Sequence, residues 1–108
     1  MPFAVFLTSD AARDLYEIYN HIALHDTQGK AEHVLAEIEK ACSRLSEYPD
    51  RGAYPKELLS LGIRDFREVF FKPYRIIYRV KSDKVYVLLI TDGRRDMQTL
   101  LQRRLLEA

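Results

Sequence analysis

Four arginines, Arg94, Arg95, Arg103 and Arg104, stand in two adjacent pairs in the closing stretch GRRDMQTLLQRRLLEA. A guanidinium grips carboxylates and phosphates with a fixed fork of donors and stays protonated at any ordinary pH, so it can hold an anion but cannot shuttle protons. The other groups able to do chemistry are sparse. His21, His25 and His33 fall on or between two predicted helices, away from the arginines, and are expected at the surface or between helices rather than as general bases. Cys42 lies on an apolar helical stripe, where a buried, inert thiol is expected. A single cysteine also excludes an internal disulfide and a cysteine-rich metal site. No HExxH, GxGxxG, P-loop or CxxC pattern occurs, so nothing in the sequence supports a metal, a dinucleotide or any other cofactor.

The formal charge of +1 over 108 residues conceals an asymmetry. Residues 1–63 carry ten acidic against six basic side chains, a balance of −4, whereas residues 64–108 carry eleven basic against six acidic, a balance of +5. A basic second half points to contact with nucleic acid or with an acidic protein. The length fits one domain spanning 1–108, and 47% hydrophobic with 31% charged residues is a globular composition. There is no long uncharged apolar run and no leader-like start, which leads to the expectation of a cytoplasmic protein with no membrane partner.

The elements that must position these arginines follow from the hydrophobic period. Phe3 to Leu7 is an apolar run of strand length, ended by the cap-like Thr8-Ser9-Asp10. Leu15, Ile18, Tyr19 and Ile22 then recur at helical spacing. After a turn at His25 to Gly29 a second stripe follows, formed by Ala31, Val34, Leu35, Ile38, Ala41, Cys42 and Leu45. Two amphipathic helices joined so briefly should form an antiparallel hairpin. Pro49 to Gly62 reads as loop. Beyond it the period becomes two, in segments 64–71, 74–81 and 84–91, predicting a three-stranded antiparallel meander. Alternation puts Ile76, Tyr78 and Val80 on one face of the middle strand and Arg75, Ile77, Arg79 and Lys81 on the other, so one face should meet the helices while the other is basic. The third strand, apolar at nearly every position, should be central. A short helix is predicted from about Asp96, where Arg103 and Arg104 would favour the negative C-terminal end. Ile38, Leu45, Ile76 and Val87 should lie in the core, giving an α+β fold with the hairpin packed on the sheet.

This order of elements, with PYRIIYRV (73–80) and GRRDMQTLLQRRL (93–105), resembles the RelE/ParE superfamily of type II toxins, and within it the ParE branch. The resemblance implies a toxin neutralised by an antitoxin in a hetero-oligomer. RelE-like members are implied to be ribosome-dependent mRNA endonucleases, and Arg67, Arg75 and Arg95 fall at basic positions of their pattern. Two further positions of that pattern depart: Val69 stands in place of a lysine and Leu101 in place of a late tyrosine. Cleavage of RNA through its 2′-hydroxyl needs proton transfer at two oxygens, which arginines do not supply. The departures therefore favour the ParE branch, which implies an inhibitor of DNA gyrase that is not an enzyme, has a ParD-like antitoxin and does not bind nucleic acid directly. Arg75, Arg79, Arg94 and Arg95 are the residues implied to meet gyrase or the antitoxin. The alternatives are an endoribonuclease of RelE type and a non-toxic antitoxin-binding relative.

Overall fold

In the computed structural model, which describes residues 2–106, the chain runs β1 (Ala4–Leu7), α1 (Ser9–His25), α2 (Gln28–Ser43), α3 (Lys56–Leu59), β2 (Arg67–Phe71), β3 (Tyr74–Lys81), β4 (Lys84–Asp92) and α4 (Met97–Leu101). A 3-10 turn over Arg44–Ser46 extends α2, and a π turn over Gln102–Leu106 continues α4. The starts of α1, α2 and α4 are set by short polar side chains. Thr8 accepts a hydrogen bond from the Ala11 amide, Thr27 from that of Lys30 and Asp96 from that of Thr99, each satisfying an amide that the helix leaves without a partner.

The sheet order is β1-β4-β3-β2, with β1 parallel to β4 and the other pairings antiparallel. The third strand of the meander is thus central, as its apolar sequence requires. Its partner on the far side is the N-terminal strand, a pairing the sequence does not specify. The hairpin packs on one face of the sheet around Leu15, Ile38, Leu45, Ile76, Tyr78 and Val87. Ile38, Leu45, Ile76 and Val87 are each wholly buried, as expected from their registers.

Three features depart from the sequence expectation. Pro49 to Gly62 is not all loop, since Lys56–Leu59 forms a helical turn. Together with α4, that turn brings Leu58, Met97 and Leu101 onto Ile77 and Leu89, so the second face of the sheet carries its own small core rather than an open basic surface. Finally, the β3–β4 register shifts between Ile77 and Tyr78, whose partners are Leu89 and Val87, leaving Leu88 as an extra residue in β4. Such a bulge reverses the inward and outward phase along one strand only. It lets Val85 and Val87 share the hairpin face with Ile90, although strict alternation would separate them.

Candidate functional site

Arg75 sits on β3 with Glu68 beside it on β2 and Glu57 reaching over from α3. Its Nε donates to Glu68 Oε1 at 2.7 Å, and its two terminal nitrogens donate to the Glu57 carboxylate oxygens, both at 2.8 Å. Only 7% of Arg75 is exposed. The bidentate grip lowers the pKa of Glu57 against the opposing effect of its partial burial, and it raises that of Arg75. Gly93 lies against the aliphatic part of this side chain, where a Cβ would come within 2.6 Å of Arg75 Cδ. One guanidinium between two carboxylates is not a free cation but the centre of a strut joining α3, β2 and β3.

Arg67 points to the other side of the sheet. It pairs across the β2–β3 ladder with Tyr78, whose ring lies in the hairpin core, whereas the partner of Arg75 is Phe70, three residues along β2 from Arg67 and therefore on the opposite face. Its guanidinium donates to the carbonyl of Gly52 at 2.8 Å and the hydroxyl of Tyr54 at 3.2 Å, and lies over the Tyr54 ring. Beneath it, Tyr78 donates to the Pro49 carbonyl and accepts from the Gly52 amide, so both residues pin the 49–55 loop to the sheet. Val69 also turns to the hairpin side and packs at the margin of that core, while Leu101 is wholly buried in the second core. Arg67, Arg75 and Arg95 are therefore not gathered into one constellation.

Arg79, Arg94 and Arg95 stay at the surface, the first well apart from the other two. Arg79 is exposed and, among the described residues, makes no hydrogen bond or ion pair. It stands opposite Tyr86, whose ring stacks on Phe6 at 5.7 Å between centroids. At about 3.3 Å per residue, Arg79 is on the order of 16 Å along β3 from the end where β4 leads into Arg94 and Arg95. The expected single basic face is thus divided. Arg94 is exposed but tethered to Asp92 by two side-chain bonds of 2.9 and 2.6 Å, which hold the Asp92 carboxyl below the usual range. Arg95 is exposed, with one weak bond of 3.3 Å to the Thr91 hydroxyl.

Arg104 does not act as a charge at a helix end. It forms a bidentate pair with Asp14 of α1, at 2.8 and 3.0 Å, and donates to the carbonyl of Leu88 at 3.2 Å. Asp14 also accepts from the Ile90 amide at 3.0 Å. Two side chains ninety residues apart thereby satisfy the backbone around the bulge, beyond the end of β1. No local pattern in the sequence signals this pairing.

Beside this clamp, a cleft of about 420 Å³ is lined by Glu17, His21, Tyr74, Asp92 and Arg95 among others. A second, of about 510 Å³, continues from His21 and Tyr74 to His25, Lys30, His33, Lys72 and Arg94. The histidines are not remote from the arginines, as the linear sequence suggested. Helix α1 lies against β4, and its C-terminal turns deliver His21 and His25 to the end of the sheet where the arginine turn begins. Burial, reinforced by Asp92, raises the pKa of the Tyr74 phenol, which makes it a weaker acid and keeps it protonated. Cys42 is buried and its thiol is pushed up to about 12, which leaves it inert. Among the described residues no group of His, Cys, Asp or Glu is placed to hold a metal.

Residues 5–97, from β1 to the first residue of α4, match a family model described as the ParE toxin of the type II toxin-antitoxin system parDE. The chain belongs to the ParE toxin family. Toxin ParE3 of Caulobacter vibrioides is 28% identical over 100 residues, covering 93% of this chain and 96% of that protein. Among solved structures, the chromosomal ParDE system of P. aeruginosa superposes with a TM-score of 0.70 at 25% identity over 83% of this chain and 95% of that one. The RelBE2 complex of Mycobacterium tuberculosis (TM-score 0.62, 22% identity, 85% and 99% coverage) and a free variant of E. coli toxin RelE (0.65, 14%, 97% and 100%) share the fold. The chain is accordingly a toxin of a type II toxin–antitoxin system. No helix among the described residues is long and apolar enough to cross a membrane.

Proposed function

We propose that this ParE-family toxin acts in the cytoplasm by binding and inhibiting DNA gyrase, without enzymatic activity of its own, and that a ParD-like antitoxin neutralises it by forming a complex. The observation that carries the non-enzymatic reading is the placement of the RelE-pattern positions. Arg75 is consumed by Glu57 and Glu68, Arg67 faces the opposite side of the sheet, and Leu101 fills a core where a phenol would be needed. A nuclease requires these groups to converge on one phosphate with a proton donor and acceptor beside it, and that convergence is missing. The family and the solved ParDE system support an antitoxin partner. The exposed cations Arg79 and Arg95 are available to meet an acidic surface, whether of gyrase or of the antitoxin, while Arg94 beside Arg95 is held by Asp92. Parallel assays on the purified chain test this: inhibition of gyrase supercoiling with no translation-dependent mRNA cleavage supports the proposal, and cleavage of ribosome-bound mRNA overturns it.

A further inference from the structure

We infer that the sheet face beside the β3–β4 turn is a stacking platform for single-stranded DNA. The second core ends at Ile77 and Leu89, and two rows of side chains beyond it lie on the same face of the sheet. The first row crosses β1, β4 and β3 as Phe6, Tyr86 and Arg79, and the second as Ala4, Lys84 and Lys81. Cross-strand partners point to the same side of a sheet, and the residues between these rows, Val5, Val85 and Val80, turn to the hairpin core. Phe6 is 45% exposed. Its ring and that of Tyr86 lie 5.7 Å apart between centroids and 24° from parallel, and β1 is an edge strand, so no further strand covers Phe6 on its outer side. A two-ring stack with one open end can be continued by the flat face of a base.

Permanent cations border the rings. Arg79, Lys81 and Lys84 are all exposed. Among the described residues Arg79 and Lys81 make no ion pair or side-chain hydrogen bond, and Lys84 has only a 3.3 Å contact with the exposed Asp83. Lys81 and Lys84 stand directly opposite each other across the β3–β4 ladder. Like charges so placed cost stability, and an anion set between them turns that repulsion into attraction. Rings and cations together match the two features of an unpaired strand, base faces and phosphates. A duplex hides its base faces, and an acidic protein segment would engage the cations without using the ring stack. Apart from the Tyr86 hydroxyl, the two rows carry no side-chain acceptor for a ribose 2′-hydroxyl, so they give RNA little advantage. The choice of DNA rests on the proposed action at DNA gyrase; it assigns Arg79 to a phosphate and leaves Arg95 for protein contact. It departs from the implication of the family resemblance that nucleic acid is not bound directly.

A fluorescein-labelled oligothymidylate of about ten nucleotides, titrated by anisotropy against the full chain, tests the platform without gyrase present. Binding is expected at low salt, with log affinity falling as log salt rises. Arg79→Gln/Lys81→Gln should weaken it and reduce that slope by about 1.4, the share of two phosphate contacts on a single strand. Phe6→Leu should weaken binding at least about fivefold while keeping the slope, because a stacking surface is lost and no charge is. Tyr86→Leu serves as a second ring variant if Phe6→Leu does not fold. Lys40→Gln, on α2, should leave affinity and slope unchanged. No binding at low salt, full affinity in the ring variants, or an unchanged slope in the double variant would overturn the inference. So would a duplex of the same length that binds as tightly, a glutamate-rich peptide that competes as well, or a ribonucleotide counterpart that binds about fivefold more tightly. An oligonucleotide that fails to bind sinks the platform alone, whereas unimpaired supercoiling beside a toxin that binds the oligonucleotide sinks the gyrase reading and leaves the DNA contact standing.

Discussion

Removing the guanidinium of Arg75 would leave Glu57 and Glu68 facing each other across a largely buried space. Arg75→Ala should therefore destabilise the chain by about 3–5 kcal/mol, measured by urea unfolding, because it strands two carboxylates that were paired. Arg95→Ala should behave in the opposite way. Its side chain is exposed and held by a single long bond, so the unfolding midpoint should barely move. If Arg95 meets the target, one charge-assisted contact worth about 1.5–3 kcal/mol is lost and toxicity falls. Full toxicity in folded Arg95→Ala would remove this arginine from the interface. In the sequence nothing marks one of these arginines as structural and the other as free. What separates them is Glu57, eighteen residues from Arg75 and carried on a helical turn within a segment that otherwise reads as loop.

The clamp of Asp14 and Arg104 ties α1, the β4 bulge and the C-terminal turn together, although the three are distant in sequence. Asp14→Asn would weaken the grip on Arg104, so the Ile90 amide should exchange with solvent faster while amides in the middle of β3 keep their protection. Uniform acceleration across the sheet would instead mean that the clamp supports global stability. Helices α1, α2 and α4, the hairpin and the three-stranded meander were legible because each rests on local periodicity or on a short polar side chain at a helix start, whereas α3 read as loop. The partner of β1, the bulge at Leu88, the second core over Ile77 and Leu89, and both ion-pair struts were not, since each depends on residues brought together only by the fold. The candidate site suffered most. Strand alternation placed Arg75 on the correct face of the sheet but could not show that α3 covers it.

Across the whole molecule, the hairpin core sets the scale of stability. Ile38 is wholly buried at the centre of α2, so Ile38→Ala should cost about 2–5 kcal/mol, and a loss well below ~1 kcal/mol would place it outside the core. The pH dependence follows from Glu57, whose pKa is lowered by Arg75. A carboxyl with a lowered folded-state pKa contributes its full stabilisation above the ordinary Glu value of about 4.3 and loses it as pH falls through the folded-state value. Acid unfolding should therefore steepen in that range and flatten in Glu57→Gln, once the variant's lower baseline stability is subtracted. The proposed function has a RelE-like fold serving as a binding surface, with Arg67 and Arg75 turned to structural use and Arg95 left exposed. It is tested most directly by incubating purified toxin with programmed ribosomes beside a gyrase supercoiling reaction. Intact mRNA and inhibited supercoiling are expected, whereas cleaved mRNA with unaffected gyrase would contradict the binding role.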